Sequence, residues 1–249
     1  MKKILFIFFT IMFILNLIIT IRPYILIKQD EEEFKELIQL KEEITQNKKE
    51  IQTISTKERY EELSKINNDM IGWIKIEGTN IDYPVMYSKN NEDYYLSHSF
   101  YKEKSYSGTP FVSKNYNIDN NNILIYGHNV NNKTLFSELL NYANYDFYQK
   151  HKYIQFDSLT EEKTYEIISV FKSKVYYEDE TVFKYYKMDY NLNEQEFNYY
   201  IENIKKISLY NIEESATYNE NLITLSTCNN EMEDGRFVVV AKKTSKKIA

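Results

Sequence analysis

The residues from Ile4 to Ile21 form an unbroken stretch of uncharged side chains, with Lys2 and Lys3 before it and Arg22 after it. Eighteen residues rising about 1.5 Å each make a helix roughly 27 Å long, close to the thickness of a membrane's hydrocarbon core. Only Thr10, Asn16 and Thr20 interrupt its apolarity. A removable leader would have a shorter apolar run and an A-x-A-like cleavage site, whereas Arg22-Pro23-Tyr24-Ile25 follows here. Residues 1–28 are therefore expected to be an uncleaved signal anchor that spans the membrane once. The amino terminus would lie in the cytoplasm and the rest of the chain outside the cell, although Lys2 and Lys3 against Arg22 and Lys28 give only a weak charge bias.

Residues 29–66 contain no Gly or Pro and are rich in charge, so they are expected to form a charged helical stalk. Leu37, Leu40, Ile44, Ile51 and Ile54 fall on heptad positions, but the series is too short to argue for a coiled coil. The favoured reading is a helix that lifts a domain off the membrane and packs a thin apolar stripe on it. Residues 67–249 carry no repeat or linker and are expected to form one domain. Strand-like runs cover 72–76, 81–86, 109–113, 123–126, 152–156, 165–175, 222–226 and 236–242. The first two flank Glu77-Gly78-Thr79-Asn80, a hairpin signal. Helical patterns appear at 134–142 and 193–207. The expected fold is mostly β with inserted helices, a closed barrel behind the N-terminal helix and the anchor.

Composition removes several functions. A net charge of −6 argues against a nucleic-acid partner, and a single Cys rules out an internal disulfide or a thiolate-rich zinc site. The acidic residues form no Asp-x-Asp-x-Asp-Gly calcium loop, and no cofactor is expected.

The residues suited to chemistry are rare ones at strand ends. Cys228 closes the apolar run Leu222-Ile-Thr-Leu-Ser-Thr, just before Asn229-Asn230. A lone Cys is more often a small buried hydrophobe, but a free thiol outside the cytoplasm is open to oxidation, and its presence there asks for a reason. His128 follows Ile123-Leu-Ile-Tyr-Gly127, where the glycine permits a turn or a close approach. His98 and His151 sit in polar settings and read as surface or capping residues. Arg236 opens the last strand directly after Gly235. Salt bridging to Glu231, Glu233 or Asp234 would be an ordinary role for it. Yet Arg occurs only three times among 31 basic residues, and its planar fork suits a carbonyl oxygen or an oxyanion. The same three carboxylates, as like charges, oppose formation of a thiolate at Cys228.

Thr224-Leu-Ser-Thr-Cys228, Tyr126-Gly-His128-Asn and Gly235-Arg236-Phe-Val-Val-Val-Ala resemble the three active-site segments of sortases, membrane-anchored cysteine transpeptidases of Gram-positive bacteria. Ile71-Gly-Trp-Ile-Lys-Ile-Glu-Gly-Thr-Asn-Ile-Asp-Tyr-Pro-Val resembles the opening strands of that fold, and the 193–207 insert and N-terminal helix look most like class B. The resemblance implies that Cys228 attacks the carbonyl after Thr in the C-terminal sorting signal of a secreted protein. Arg236 would stabilise the oxyanion and His128 would act as acid and base. An amine of a cell-wall peptide or peptidoglycan precursor would take up the acyl group. It also implies that Leu96 and Ser226 line the substrate groove and that 193–207 forms one wall, although Leu96 could equally be plain core. Two other readings remain open on the residues alone: a membrane-anchored cysteine peptidase acting by hydrolysis, and a non-catalytic binding module.

Overall fold

The computed structural model describes residues 2–49, 55–113, 115–117, 120–130 and 134–246. Ile51 and Ile54, the last two positions of the expected apolar stripe, lie outside the described residues. One long helix, α1 (Lys2–Lys49), runs through the apolar stretch and on into the charged segment without a break at Pro23. An eighteen-residue window of it reaches a mean hydropathy of 2.8 and is wholly exposed, so the helix is long and apolar enough to cross a membrane.

The second half of α1 lies against the domain. Phe34, Leu37 and Ile44 are buried and Leu40 is half-buried, with Phe34 edge-on to Tyr83 at 4.9 Å between ring centroids. Lys41 pairs with Asp82 at 2.5 Å. A separate helix, α2 (Thr56–Ile66), begins with a capping box in which Ser55 and Glu58 satisfy each other's backbone N–H groups. Its Tyr60 stacks parallel to Trp73 and donates a hydrogen bond to Asp157 at 2.8 Å.

Among the described residues ten strands follow. They are β1 (Met70–Lys75), β2 (Asp82–Met86), β3 (Phe111–Val112), β4 (Asn122–Tyr126), β5 (Asn129–Val130), β6 (Thr134–Leu135), β7 (Tyr153–Ser158), β8 (Thr164–Lys174), β9 (Leu222–Cys228) and β10 (Gly235–Thr244). Eight of them close into a barrel in the order β1-β2-β3-β4-β9-β10-β8-β7, and β5 and β6 form a small hairpin outside it. The helices of this part are α3 (Tyr145–Lys150) and α4 (Glu194–Lys206). The helical pattern expected over 134–142 resolves differently: Thr134 and Leu135 pair in β6, and only Ser137–Ala143 coils, as a 3-10 helix.

Strand alternation divides the apolar residues between two cores. Ile123, Ile125, Ile223, Leu225, Phe237 and Val239 fill the barrel interior. Leu124, Leu222, Val238 and Val240 face outward, where Phe197, Tyr200, Ile201 and Ile204 of α4 cover them. β4 runs parallel to β9, with Ile123 opposite Ile223 and Tyr126 opposite Ser226, while β10 runs antiparallel to β9. The ends of β4 and β9 and the start of β10 therefore meet at one end of the barrel.

Candidate active site

That end carries the three rare residues. Cys228, the last residue of β9, is paired in register with Arg236 on β10. Directly opposite residues of an antiparallel pair have Cβ atoms roughly 4.5–5.5 Å apart on one face, so the two side chains leave the sheet from adjacent positions. His128 lies two residues beyond Tyr126, whose partner in the parallel register is Ser226. All three side chains line one cleft of about 500 Å³ and are neither fully buried nor fully exposed.

Each is held by its backbone surroundings. The Gly127 N–H donates to the Ser226 carbonyl at 3.1 Å, extending the β4–β9 ladder by one step before His128. A Cβ on Gly127 would come within 2.6 Å of the buried Phe136 ring, so the close approach expected at this glycine is made by that side chain. The Asn129 side chain donates to the Cys228 carbonyl at 3.0 Å and ties the histidine turn to the cysteine turn. Arg236 donates through Nη1 to the carbonyls of Gly235 (2.9 Å) and Asp234 (3.2 Å). Among the described residues Glu231, Glu233 and Asp234 make no ion pair with it. Glu231 instead pairs with Lys172, which lowers the pKa of its carboxyl.

His128 Nε2–H donates to the carbonyl of Leu96 at 2.8 Å. A carbonyl can only accept, so this bond puts the neutral ring's proton on Nε2 and leaves the Nδ1 lone pair for proton transfer. The acceptor is a main-chain atom, and no carboxylate is needed to orient the ring. Leu96 ends a 3-10 turn, Tyr94–Leu96, and its side chain is 43% exposed at the cleft rather than packed in the core. Gly108, in the left-handed region at φ +63°, makes this geometry possible, because a Cβ there would collide with the carbonyls of Tyr95 and Leu96.

Ser226 has no exposure. Its hydroxyl shares a hydrogen bond of 2.7 Å with the phenol of Tyr185, so it reaches the cleft only as floor. Helix 193–207 does not provide the wall expected of it. The cleft is lined instead by residues of the preceding segment, 175–189, among them Val175, Tyr176, Tyr186 and Lys187. The apolar face of α4 is already occupied in covering the outer sheet, where Tyr200 and Thr224 share a hydrogen bond of 2.8 Å. Burial pushes the phenols of Tyr126 and Tyr185 well above the ordinary tyrosine value, so both are neutral donors at neutral pH and neither competes as a base. At the far end of the cleft, Asp189 accepts from Ser113 and Asn115 and is buried.

His98 and His151 take no part in this site. Each donates through Nδ1 to a backbone carbonyl, His98 to Tyr94 and His151 to Glu77. Among the described residues no group of three or more His, Cys, Asp or Glu side chains could hold a metal ion.

A closed barrel with a cysteine, a histidine and an arginine at its converging strand ends is the framework of a thiol-dependent acyl transferase. The family model of the sortase domain matches residues 74–244, and the chain belongs to the sortase family of cysteine transpeptidases. Its relatives are of class B. Sortase B of Staphylococcus aureus is 34% identical over 188 residues, covering 74% of each chain, and sortase B of Listeria monocytogenes is 35% identical over 191 residues, again 74% of each. Among solved structures, the S. aureus sortase B–substrate complex superposes with a TM-score of 0.73 at 30% identity, over 87% of this chain and 97% of that one. A sortase B complexed with triglycine gives 0.75 at 31% identity, over 87% and 98%.

Proposed function

We propose that this transpeptidase cleaves the C-terminal sorting signal of a secreted protein after Thr, using Cys228 as nucleophile, His128 as acid and base, and Arg236 as oxyanion partner. The observation that carries this reading is the register pairing of Cys228 with Arg236, with His128 at the end of the adjacent parallel strand and all three on one cleft. The Cys228 sulfur adds to the peptide carbonyl, and its proton passes to His128. The oxygen takes the negative charge beside the Arg236 guanidinium. Collapse breaks the C–N bond, His128 protonates the departing amine, and a thioester to Cys228 remains. A wall-peptide amine then adds to the thioester and gives a proton to His128. The C–S bond breaks, and the Cys228 thiol returns with that proton.

Leu96, exposed at the cleft, touches the signal in this reading. Ser226 contributes beneath it by fixing Tyr185. Residues 1–28 anchor the enzyme in the membrane as a single pass with the barrel outside, and residues 67–249 are the catalytic domain. The test is a fluorogenic sorting peptide incubated with the full-length protein in detergent, with and without a glycine-peptide amine. Transfer product that rises with amine supports the reading. Hydrolysis unaffected by amine would make the protein a peptidase, and cleavage surviving Cys228→Ala would defeat the mechanism.

A further inference from the structure

We propose that Tyr95 is a positioning residue for His128: its phenol, held between Asn67 and Asp69, roots the 94–96 turn that presents the Leu96 carbonyl to the imidazole. The role rests on the reading of His128 as acid and base.

A main-chain carbonyl orients a ring only as well as its own peptide is fixed. The connection from β2 to β3, residues 87–110, contains one isolated bridge, His98 with Lys104, and no strand, so the barrel ladder does not hold this turn. Within the turn Leu96 is exposed at the cleft and Tyr94 is half-buried. Tyr95 is 1% exposed and does not line the cleft, so it is the side chain that anchors the turn in the domain.

The Tyr95 hydroxyl acts as both acceptor and donor. It accepts from the Asn67 side-chain amide at 2.8 Å and donates to the Asp69 carboxylate at 2.8 Å. Asn67 is buried, and its side chain also donates to the Phe100 carbonyl (2.6 Å) and accepts from the Asp69 N–H (2.9 Å). It caps α2, and its own carbonyl accepts from the N–H of Met70, the first residue of β1 (3.1 Å). Asp69 pairs in addition with Lys102 (2.9 Å). The phenol is therefore tied to the point where α2 joins the barrel. At the other end of the residue, the Tyr95 carbonyl accepts from the Thr109 N–H (2.9 Å), just before β3. Tyr95 is thus bonded at both ends, and the next carbonyl along the chain is the one that meets His128. Burial pushes the phenol pKa well above the ordinary tyrosine value, so the hydroxyl keeps its proton for Asp69 at neutral pH.

The Leu96 carbonyl selects the ring tautomer protonated on Nε2. A turn that slipped would lose this selection, and the proton would divide between the two nitrogens. His151 offers a contrast in the same chain, since it binds the Glu77 carbonyl through Nδ1.

The experiment uses the full-length protein in detergent, with its histidine ring nitrogens isotope-labelled and observed by NMR at a pH where the rings are neutral. The His128 signals are assigned by their absence from His128→Ala. In the wild type His128 should carry its proton on Nε2 and His151 on Nδ1. Tyr95→Phe removes only the hydroxyl. It should turn His128 into a mixture of tautomers and leave His151 unchanged. Its kcat on the sorting peptide, per folded molecule, should fall about 10–100-fold with KM much less affected. Asp69→Ala, which takes away the acceptor of the phenol, should do the same, and Asp69→Asn, which restores one, should recover most of kcat. An unchanged kcat in Tyr95→Phe, or a fall with the His128 tautomer intact, would overturn the role of Tyr95. Full activity in His128→Ala would instead remove the reading on which that role rests.

Discussion

Successive residues of β9 occupy different surroundings. Ile223 and Leu225 point into the barrel, where they join one apolar cluster. Thr224, Ser226 and Cys228 point outward. There Tyr200 satisfies the first hydroxyl and Tyr185 the second, and the cover ends at the third, leaving the thiol at a cleft. The inner face supplies rigidity without directional bonds. The outer face is a ladder of paired hydroxyls that is interrupted where chemistry is needed. A period of two thus lets one strand serve the core and the site at once, and the difference can be tested from either side.

Cys228→Ala should have the largest effect. It removes the proposed nucleophile, so turnover of a sorting peptide should fall on the order of 10⁴-fold or more while the melting temperature barely moves. A large loss of stability would show that the thiol belongs to the core instead. Arg236→Lys keeps the charge and loses the fork, and should lower kcat by about 10²–10³-fold with KM little changed. An effect confined to KM would recast Arg236 as a binding group. On the inner face, Leu225→Ala should cost about 2–5 kcal/mol in urea unfolding and leave activity per folded molecule intact. Tyr185→Phe leaves the Ser226 hydroxyl buried without its partner and should cost about 1–3 kcal/mol, with a modest rise in KM.

The smallest expected effect lies on the outer face of β1 and β7, where α2 is the cover. Asp157 accepts there from Tyr60 and Gln155, and burial raises its carboxyl pKa despite those bonds. A raised value in the folded state means that folding favours the protonated form. Stability from this group is therefore complete below the unfolded value of about 3.9 and is lost as pH rises through the folded one. The melting temperature of Asp157→Asn relative to wild type should move in the variant's favour as pH increases across that window. A difference that does not vary with pH would mean that the carboxyl is not desolvated.

Much of this arrangement is legible in the sequence, for reasons that also mark the limit. Alternating apolar runs reveal strands, and a Cys, a His and an Arg at three strand ends point to one chemistry. The parallel pairing of β4 with β9 has no local signature, because the partners Asn122 and Leu222 are brought together only by barrel closure. The Leu96 carbonyl is equally silent, since every residue has one, and only Gly108, at its left-handed turn, hints that the chain passes close by. The misplaced wall shows the converse: the apolar face of α4 marks where that helix is buried and therefore cannot also border a cleft. Ser226 is expected from the resemblance to line the groove, and that its hydroxyl is instead turned to Tyr185 is not legible because Tyr185 lies on a distant segment.

The β4–β9 pairing also sets the order in which competence is acquired. A chain made from its amino terminus exposes His128 and the Leu96 turn long before Leu222–Cys228 and Gly235–Thr244 exist. Cys228 and Arg236 arrive together on the last two strands, and the cleft assembles only when those strands complete the barrel between β4 and β8. A nascent or truncated molecule is therefore inert, and catalytic activity reports that synthesis and folding have both finished.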